Sequence, residues 1–242
     1  SPLSRKGEWK SANSNLSNHL YDAPRAQFND INQVANPECP TRHAAIATKI
    51  GEKYITSPTT VCEIGAGMGG VCYNIMRSSP FSVKYVLFDI PSVLHISSTY
   101  LLKFLNRDVD VYLYTEEDEE LTVTALKQII KSHDLILLPH YVIDRLPKGA
   151  FDIFINTGSA CEMPTETCEY YFNVIKKTAK EHTTLFMEYR KKELLRGPGI
   201  ESFAPLKHEI DVDPIAAKYF KETSRCDARV HGNTYWEVIY EN

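Results

Sequence analysis

The feature that most constrains this chain is a glycine-rich turn between an apolar run and a helical pattern. Residues 60–64 are predicted to form a buried strand, and glycines follow at positions 65, 67, 69 and 70. Residues 71–76 have the pattern of the first turns of a helix. Glycine suits such a turn because it adopts positive φ and lets the backbone approach a ligand closely. The N-terminus of the helix that follows directs its N–H groups toward that ligand. The turn therefore predicts a strand–turn–helix unit with a ligand at its tip.

A second apolar run, residues 84–89, ends in Asp89. An acid at the tip of the second strand of such a unit can accept hydrogen bonds from both hydroxyls of a ribose. Gly65, Gly67 and Gly70 satisfy the G-x-G-x-x-G dinucleotide fingerprint, with Asp89 where that fingerprint expects its acid. One interpretation is therefore an NAD-dependent oxidoreductase.

The same turn has a second interpretation that also uses the acid before it. Glu63, Gly65, Gly67 and Gly69 form E-x-G-x-G-x-G, which resembles motif I of the Rossmann-like S-adenosylmethionine-dependent methyltransferases. We favour this interpretation because the dinucleotide fingerprint leaves Glu63 unexplained. A chain of 242 residues also lacks the length for a usual separate substrate domain. The resemblance implies S-adenosyl-L-methionine as the cofactor.

The composition excludes several other classes of protein. Hydrophobic residues make up 43% and charged residues 24%, as in ordinary soluble globular proteins, and the net charge of −4 gives no reason to expect nucleic-acid binding. No apolar run approaches the ~20 residues of a membrane span. Six cysteines occur without a C-x-x-C pair, which favours reduced thiols and a cytoplasmic location. Because the chain begins with serine, we expect a processed chain or an excised piece.

The order of the patterns predicts an α/β fold. Residues 1–57 are predicted to be a polar, partly helical segment that covers the site, with Thr41 as the N-cap of a helix. Residues 58–242 are predicted to be the methyltransferase domain, a mostly parallel sheet with helices on both faces. Residues 225–231 and 234–240 are predicted to pair antiparallel across a turn at 232–233. The resemblance implies seven strands, with the last strand inserted beside the fifth, which is predicted at residues 183–188.

Two details of this assignment remain open. Residues 108–114 and 134–139 both qualify as the third strand. Five consecutive acids at 116–120 invite a metal-site interpretation, but acids in the first turn of the helix that follows are the better explanation, since they complement the helix dipole. We therefore expect no metal there.

Ligands of open α/β sheets bind beyond the carboxyl ends of the strands, so the residues after each predicted strand are the candidate site. Gly65 and Gly67 are expected at the methionine end of the cofactor, Asp89 at the ribose, and the Ile90 side chain against adenine.

His140 and Tyr141 follow residues 134–139. In methyltransferases a polar residue at this place often meets the adenine amino group. His140 has two other open interpretations, a general base or a histidine that is hydrogen-bonded in place without chemistry.

The least usual stretch of the chain follows the predicted fourth strand. Asn156, Ser159 and Glu162 lie beyond an apolar strand tip, so they are expected to face the cleft. Together with Met163-Pro164 this stretch resembles the corresponding segment of the sugar O-methyltransferase family, as do Asp89-Ile90-Pro91 and the Leu137–His140 run. We expect Asn156 and Ser159 to contribute to cofactor binding.

The resemblance implies transfer of a methyl group to a sugar hydroxyl of a glycan or glycosylated metabolite. That hydroxyl must lose its proton, for which Glu162 and His140 are the two candidate bases. We expect no metal, because only His208, Asp211 and Asp213 cluster in the sequence, and a solvated loop explains them. The alternatives are a methyltransferase for a non-sugar small molecule, the oxidoreductase, and a non-catalytic nucleotide-binding module.

Overall fold

A computed structural model of the protein describes residues 39–105, 108–118, 120–195, 209–228 and 234–242. Its helices are α1 (Cys39–Tyr54), α2 (Gly70–Ser78), α3 (Pro91–Phe104), α4 (Val123–Ser132), α5 (Thr165–Thr178) and α6 (Asp213–Ala216). Its strands are β1 (Thr59–Ile64), β2 (Val83–Asp89), β3 (Val111–Leu113), β4 (Leu135–Pro139), β5 (Phe151–Thr157), β6 (Ala179–Arg190), β7 (Lys221–Asp227) and β8 (Tyr235–Glu241).

The strands form a single sheet in the order β3-β4-β2-β1-β5-β6-β8-β7. The first six pair in parallel, whereas β8 runs antiparallel to both β6 and β7. The predicted fold class and the antiparallel C-terminal pair are thus confirmed, with the last strand beside β6. The predicted number of seven strands is wrong, because both segments that competed for the third strand form strands. The three-residue β3 pairs with the outer edge of β4.

Helices cover both faces of the sheet. Apolar side chains of α1, α2 and α3 pack on one face, and those of α4, α5 and α6 pack on the other. The inner strands are apolar almost throughout because both of their faces are buried; every residue of β4 is buried. In the sheet, β2, β4 and β3 lie on one side of β1, and the remaining strands lie on the other side. The crevice between β1 and β5 is therefore the switch point at which such sheets bind ligands.

Several predicted boundaries differ from the structure. Helix α1 begins at Cys39, before the proposed N-cap Thr41. The acids at 116–120 were wrongly assigned to a first helical turn, because α4 begins at Val123 with the Thr122 side chain accepting from the Ala125 amide. The sequence analysis did not predict helix α5, and α6 is a single turn. The turn at 232–233 lies outside the described residues.

The N-terminal segment is represented in the structure by α1. Residues 1–38 of the predicted cover lie outside the described part of the chain. Ile46, Ala47 and Ile50 of α1 are buried in the same core cluster as Val71 of α2, so α1 packs into the core of the fold. No helix among the described residues combines the length and the apolar character needed to cross a membrane.

Candidate functional site

The turn after β1 has the backbone conformation that requires glycine. The φ angles of Gly65, Gly67 and Gly69 are 72°, 56° and 81°, a region that other residues adopt only with strain. The Gly69 amide donates to the Ala66 carbonyl oxygen at 2.9 Å, which closes the turn. Helix α2 begins at the next residue, so its first N–H groups point toward the carboxyl edge of the sheet.

The glycines also differ in what surrounds them. A Cβ atom would lie 2.0–2.8 Å from a neighbouring side chain at three positions: Gly65 against Ser159, Gly69 against Leu101, and Gly70 against His43. At Gly67 a Cβ atom would meet nothing within 4 Å. Close packing therefore explains three of the glycines, whereas Gly67 faces open space at the site where a ligand would approach.

Asp89 lies at the tip of β2 and holds the turn in place. One carboxylate oxygen accepts the Gly67 N–H at 2.8 Å, and the other accepts the Ile90 N–H at 2.7 Å. Burial raises the pKa of Asp89, while these two hydrogen bonds and the nearby His140 limit the rise. Each carboxylate oxygen can accept a second hydrogen bond, so Asp89 can bind both hydroxyls of a ribose while it holds the turn.

Apolar and aromatic side chains surround the next part of the edge. Ile90 and Tyr141 are 49% and 56% exposed, unusual for large apolar side chains. The Tyr141 ring makes edge-to-face contacts with Tyr114, at 6.0 Å between centroids, and with His140, at 5.5 Å. These residues follow β2, β3 and β4 and form a surface against which a planar base can pack.

Asn156 and Ser159 join the tip of β5 to the tip of β1. The Asn156 side-chain amide donates to the Ile64 carbonyl oxygen at 2.9 Å and to Ser159 Oγ at 2.8 Å, and its oxygen accepts the Ala160 N–H at 3.0 Å. The Asn156 side chain is thus fully engaged and buried. The structure places it where it shapes the turn at Gly65; direct cofactor contact by Asn156 and Ser159 stays a prediction.

Glu63 lies inside the core beneath the turn. It is fully buried, and the Tyr85 hydroxyl donates to its Oε2 atom at 2.6 Å. Burial raises the pKa of Glu63 to about 8, a rise that Tyr85 and Arg42 oppose and Asp89 increases. The sequence placed Glu63 at the ligand, whereas the structure encloses it one layer below.

Arg42 and Glu188 form an ion pair that sequence reasoning missed. Nε and Nη2 of Arg42, on α1, lie 2.9 Å and 2.8 Å from one carboxylate oxygen of Glu188, on β6. Glu188 was the last residue of the predicted fifth strand, so the same strand-tip argument that selected Asp89 would have found it. Arg42 had no comparable signal, because its place depends on how α1 packs against the sheet.

The two candidate bases lie on different sides of the cleft. His140 follows β4, and Glu162 ends a short 3₁₀ turn after β5. Three strand spacings, about 14 Å, separate β4 from β5. Glu162 is half-buried and interacts electrostatically with Cys161 and Tyr235, near the ends of β5 and β8. The structure therefore does not bring His140 and Glu162 to one reacting proton.

The C-terminal acids have structural partners. Arg225 pairs with Asp213 at 2.7 Å, the Tyr189 hydroxyl also donates to Asp213, and Lys192 pairs with Asp211 at 2.8 Å. His208, the third member of the predicted cluster, lies outside the described residues. Within the described part of the chain, no group of three or more His, Cys, Asp and Glu side chains is arranged to hold a metal ion.

Two buried polar atoms at this edge lack a hydrogen-bond partner among the described residues, Glu63 Oε1 and His140 Nδ1. Buried polar atoms are nearly always paired, so each such exception calls for an explanation. A neutral imidazole nitrogen can accept from the amino group of a purine, so His140 Nδ1 is chemically suited to an adenine at this edge. The residues present thus fit an adenosine group lying from β4 toward β1.

No protein-family model and no curated protein matches the chain. Solved structures share its fold. The PH0226 protein from Pyrococcus horikoshii OT3 has a TM-score of 0.59 at 13% identity, over 85% of this chain and 91% of that protein. A SAM-dependent methyltransferase from Aquifex aeolicus has a TM-score of 0.52 at 12% identity, over 84% and 97% of the two chains.

The mitomycin 7-O-methyltransferase MmcR has a TM-score of 0.55 at 12% identity and covers 94% of this chain. The chain spans only 60% of the length of that enzyme. At such low identities the comparisons show the fold alone, which is the Rossmann-like fold of S-adenosylmethionine-dependent methyltransferases.

The packing of the glycines predicts unequal effects of alanine. Gly65→Ala should lower the free energy of unfolding by about 2–4 kcal/mol, because it adds an overlap with Ser159 to the strain of positive φ. Gly67→Ala should lower it by about 1–2 kcal/mol, through strain alone. Gly51→Ala, in α1 with open space around it, is the control and should be neutral or stabilising. Urea unfolding measures the free energy of unfolding of all three variants. Equal losses in Gly65→Ala and Gly67→Ala would show that the contact with Ser159 has no effect on stability.

The burial of Glu63 predicts a pH-dependent stability. Between its ordinary value of 4.5 and about 8, the native protein holds a proton that the unfolded chain releases. The free energy of unfolding should therefore fall as pH rises through this window. Glu63→Gln should flatten the fall in melting temperature between pH 5 and pH 8, whereas Glu52→Gln, at an exposed position of α1, should not. A wild-type slope in Glu63→Gln would show that other groups cause the fall.

Proposed function

We propose that this chain is an S-adenosyl-L-methionine-dependent O-methyltransferase whose acceptor is a sugar hydroxyl. The observation that carries the proposal is the arrangement around Asp89. Its carboxylate holds the open Gly67 turn and keeps one acceptor position on each oxygen, beside the exposed Ile90 and Tyr141. A ribose and an adenine fit this combination of an acid and an apolar surface.

The chain's own residues divide the work of binding along the carboxyl edge. Asp89 accepts from the ribose hydroxyls, Ile90 and Tyr141 pack against adenine, and His140 Nδ1 accepts from the adenine amino group. Gly67 lets the backbone approach the ligand closely. Asn156 and Ser159 hold the turn against β5, which fixes the position of the remaining part of the cofactor.

When bound, S-adenosyl-L-methionine supplies a methyl group on a sulfonium centre that is already a strong leaving group. The protein then contributes mainly alignment of the acceptor and exclusion of water. The acceptor hydroxyl must also pass its proton to a base within hydrogen-bond reach. We assign this proton to Glu162, because it lies beyond β5, on the opposite side of the turn from the adenine surface.

The sugar acceptor is supported by the resemblance of the segment from Asn156 to Pro164 to the sugar O-methyltransferases. A non-sugar small molecule stays the second candidate acceptor, because the fold shared with the mitomycin 7-O-methyltransferase does not distinguish one acceptor from another. An NAD-dependent oxidoreductase is not favoured, because the solved structures that share the fold include named methyltransferases. A cytoplasmic location stays a prediction.

Ligand-dependent melting tests the cofactor. S-adenosylhomocysteine should raise the melting temperature, because a ligand that binds only the native state stabilises it by mass action, and NAD and NADP should not. Differential scanning fluorimetry over a series of ligand concentrations measures both effects. A rise with NAD alone would eliminate the methyltransferase proposal.

Turnover tests the base. Glu162→Gln should lower the rate of S-adenosylhomocysteine formation on a sugar acceptor by about 10²–10⁴-fold, the usual contribution of a general base, with cofactor affinity nearly unchanged. Glu166→Gln, an exposed acid in the first turn of α5, is the matched control. His140→Ala should instead weaken cofactor binding. Near-normal turnover in Glu162→Gln would exclude Glu162 as the base.

A further inference from the structure

The crevice between β1 and β5 contains a cation supplied by α1. Arg42 reaches over the tip of β5, where a Cβ atom on Gly158 would lie 3.4 Å from its Nη2 atom. Its guanidinium pairs with Glu188 and acts electrostatically on Glu63, the acid before the glycine turn. Arg42 thus lies among the ends of β1, β5 and β6, at the switch point of the sheet.

The two partners of the ion pair differ in their exposure and in how many of their hydrogen-bonding atoms the pair uses. The Arg42 side chain is 12% exposed, whereas that of Glu188 is 1% exposed. Nε and Nη2 of Arg42 both approach the same oxygen of Glu188, and no described residue receives a hydrogen bond from Nη1. Glu188 therefore orients the guanidinium and leaves the Nη1 donors without an acceptor among the described residues.

The proposed adenosine site places the rest of the cofactor in this crevice. Adenine lies at the ends of β4 and β2 and ribose at Asp89, so the amino-acid part continues across β1 toward β5. That part ends in an α-carboxylate, which needs a cationic or N–H donor when it is taken out of water. A guanidinium provides paired donors that match the geometry of a carboxylate.

We propose that Arg42, oriented by Glu188, binds the α-carboxylate of the methionine moiety. This inference rests on the proposed function and adds a residue outside the glycine motif. It makes α1 a part of the cofactor site, and it gives the buried Glu188 a purpose in positioning Arg42.

Three ligands separate this role from a purely structural one. Isothermal titration calorimetry compares S-adenosylhomocysteine, its decarboxylated analogue 5′-(3-aminopropylthio)adenosine, and 5′-methylthioadenosine, which lacks the amino-acid part. Arg42→Ala should weaken S-adenosylhomocysteine binding by about 10–100-fold, the range for a hydrogen bond to a charged group. It should change the affinity for the other two ligands by less than about threefold. Arg42→Lys, which retains the charge opposite Glu188, keeps the test valid should Arg42→Ala fold poorly, and it should lose part of the preference for the carboxylate.

Lys53→Ala is the control for the loss of a cation from α1. Lys53 is an exposed residue in the last turn of the same helix, so its replacement should leave all three affinities unchanged. An equal loss for all three ligands in Arg42→Ala, or no loss for S-adenosylhomocysteine, would overturn the assignment. Failure of the wild-type protein to bind any of the three would refute the proposed function itself, before any variant is compared.

Discussion

The structure of the site depends on two side chains that clamp the glycine turn from opposite sides. Asp89 holds the Gly67 amide from β2, and Asn156 holds the Ile64 carbonyl from β5. Together their hydrogen bonds offset the conformational entropy that a segment with three glycines at positive φ loses on ordering. Because each clamp belongs to a strand buried on both faces, the rigidity of the sheet is passed to the loop.

The sequence predicted the central features because they follow from short-range rules. Two apolar runs were long enough for strands and predicted β1 and β2, with Asp89 at the tip of the second. The glycine turn after the first run predicted the start of α2. The eighth strand was missed because residues 108–114 and 134–139 were treated as exclusive, although a parallel sheet can accept both. Contacts between residues far apart in the sequence could not be predicted, because no local pattern indicates them. Examples are the contact between Glu63 and Tyr85 and the position of Arg42 over Gly158.

Two buried carboxyl groups lie near the open turn. Burial raises the pKa of both Glu63 and Glu188, and Arg42 opposes the rise in each case. Such groups cost stability when they are enclosed, and they are retained most often where binding or catalysis uses them. The enclosure of these two carboxyl groups is therefore consistent with a binding site at the carboxyl ends of β1 and β6.

The order of the outer strands has a consequence for biosynthesis. β8 follows β7 in the chain but lies between β7 and β6 in the sheet, so β7 has no neighbour to pair with until β8 has left the ribosome. The other edge strand, β3, has the same requirement, because its partner β4 also follows it in the chain. During translation the nascent chain thus presents the unpaired edge of β6, an aggregation-prone surface, until the last strand arrives. The charged, exposed residues of β7 then form the outer margin of the completed sheet.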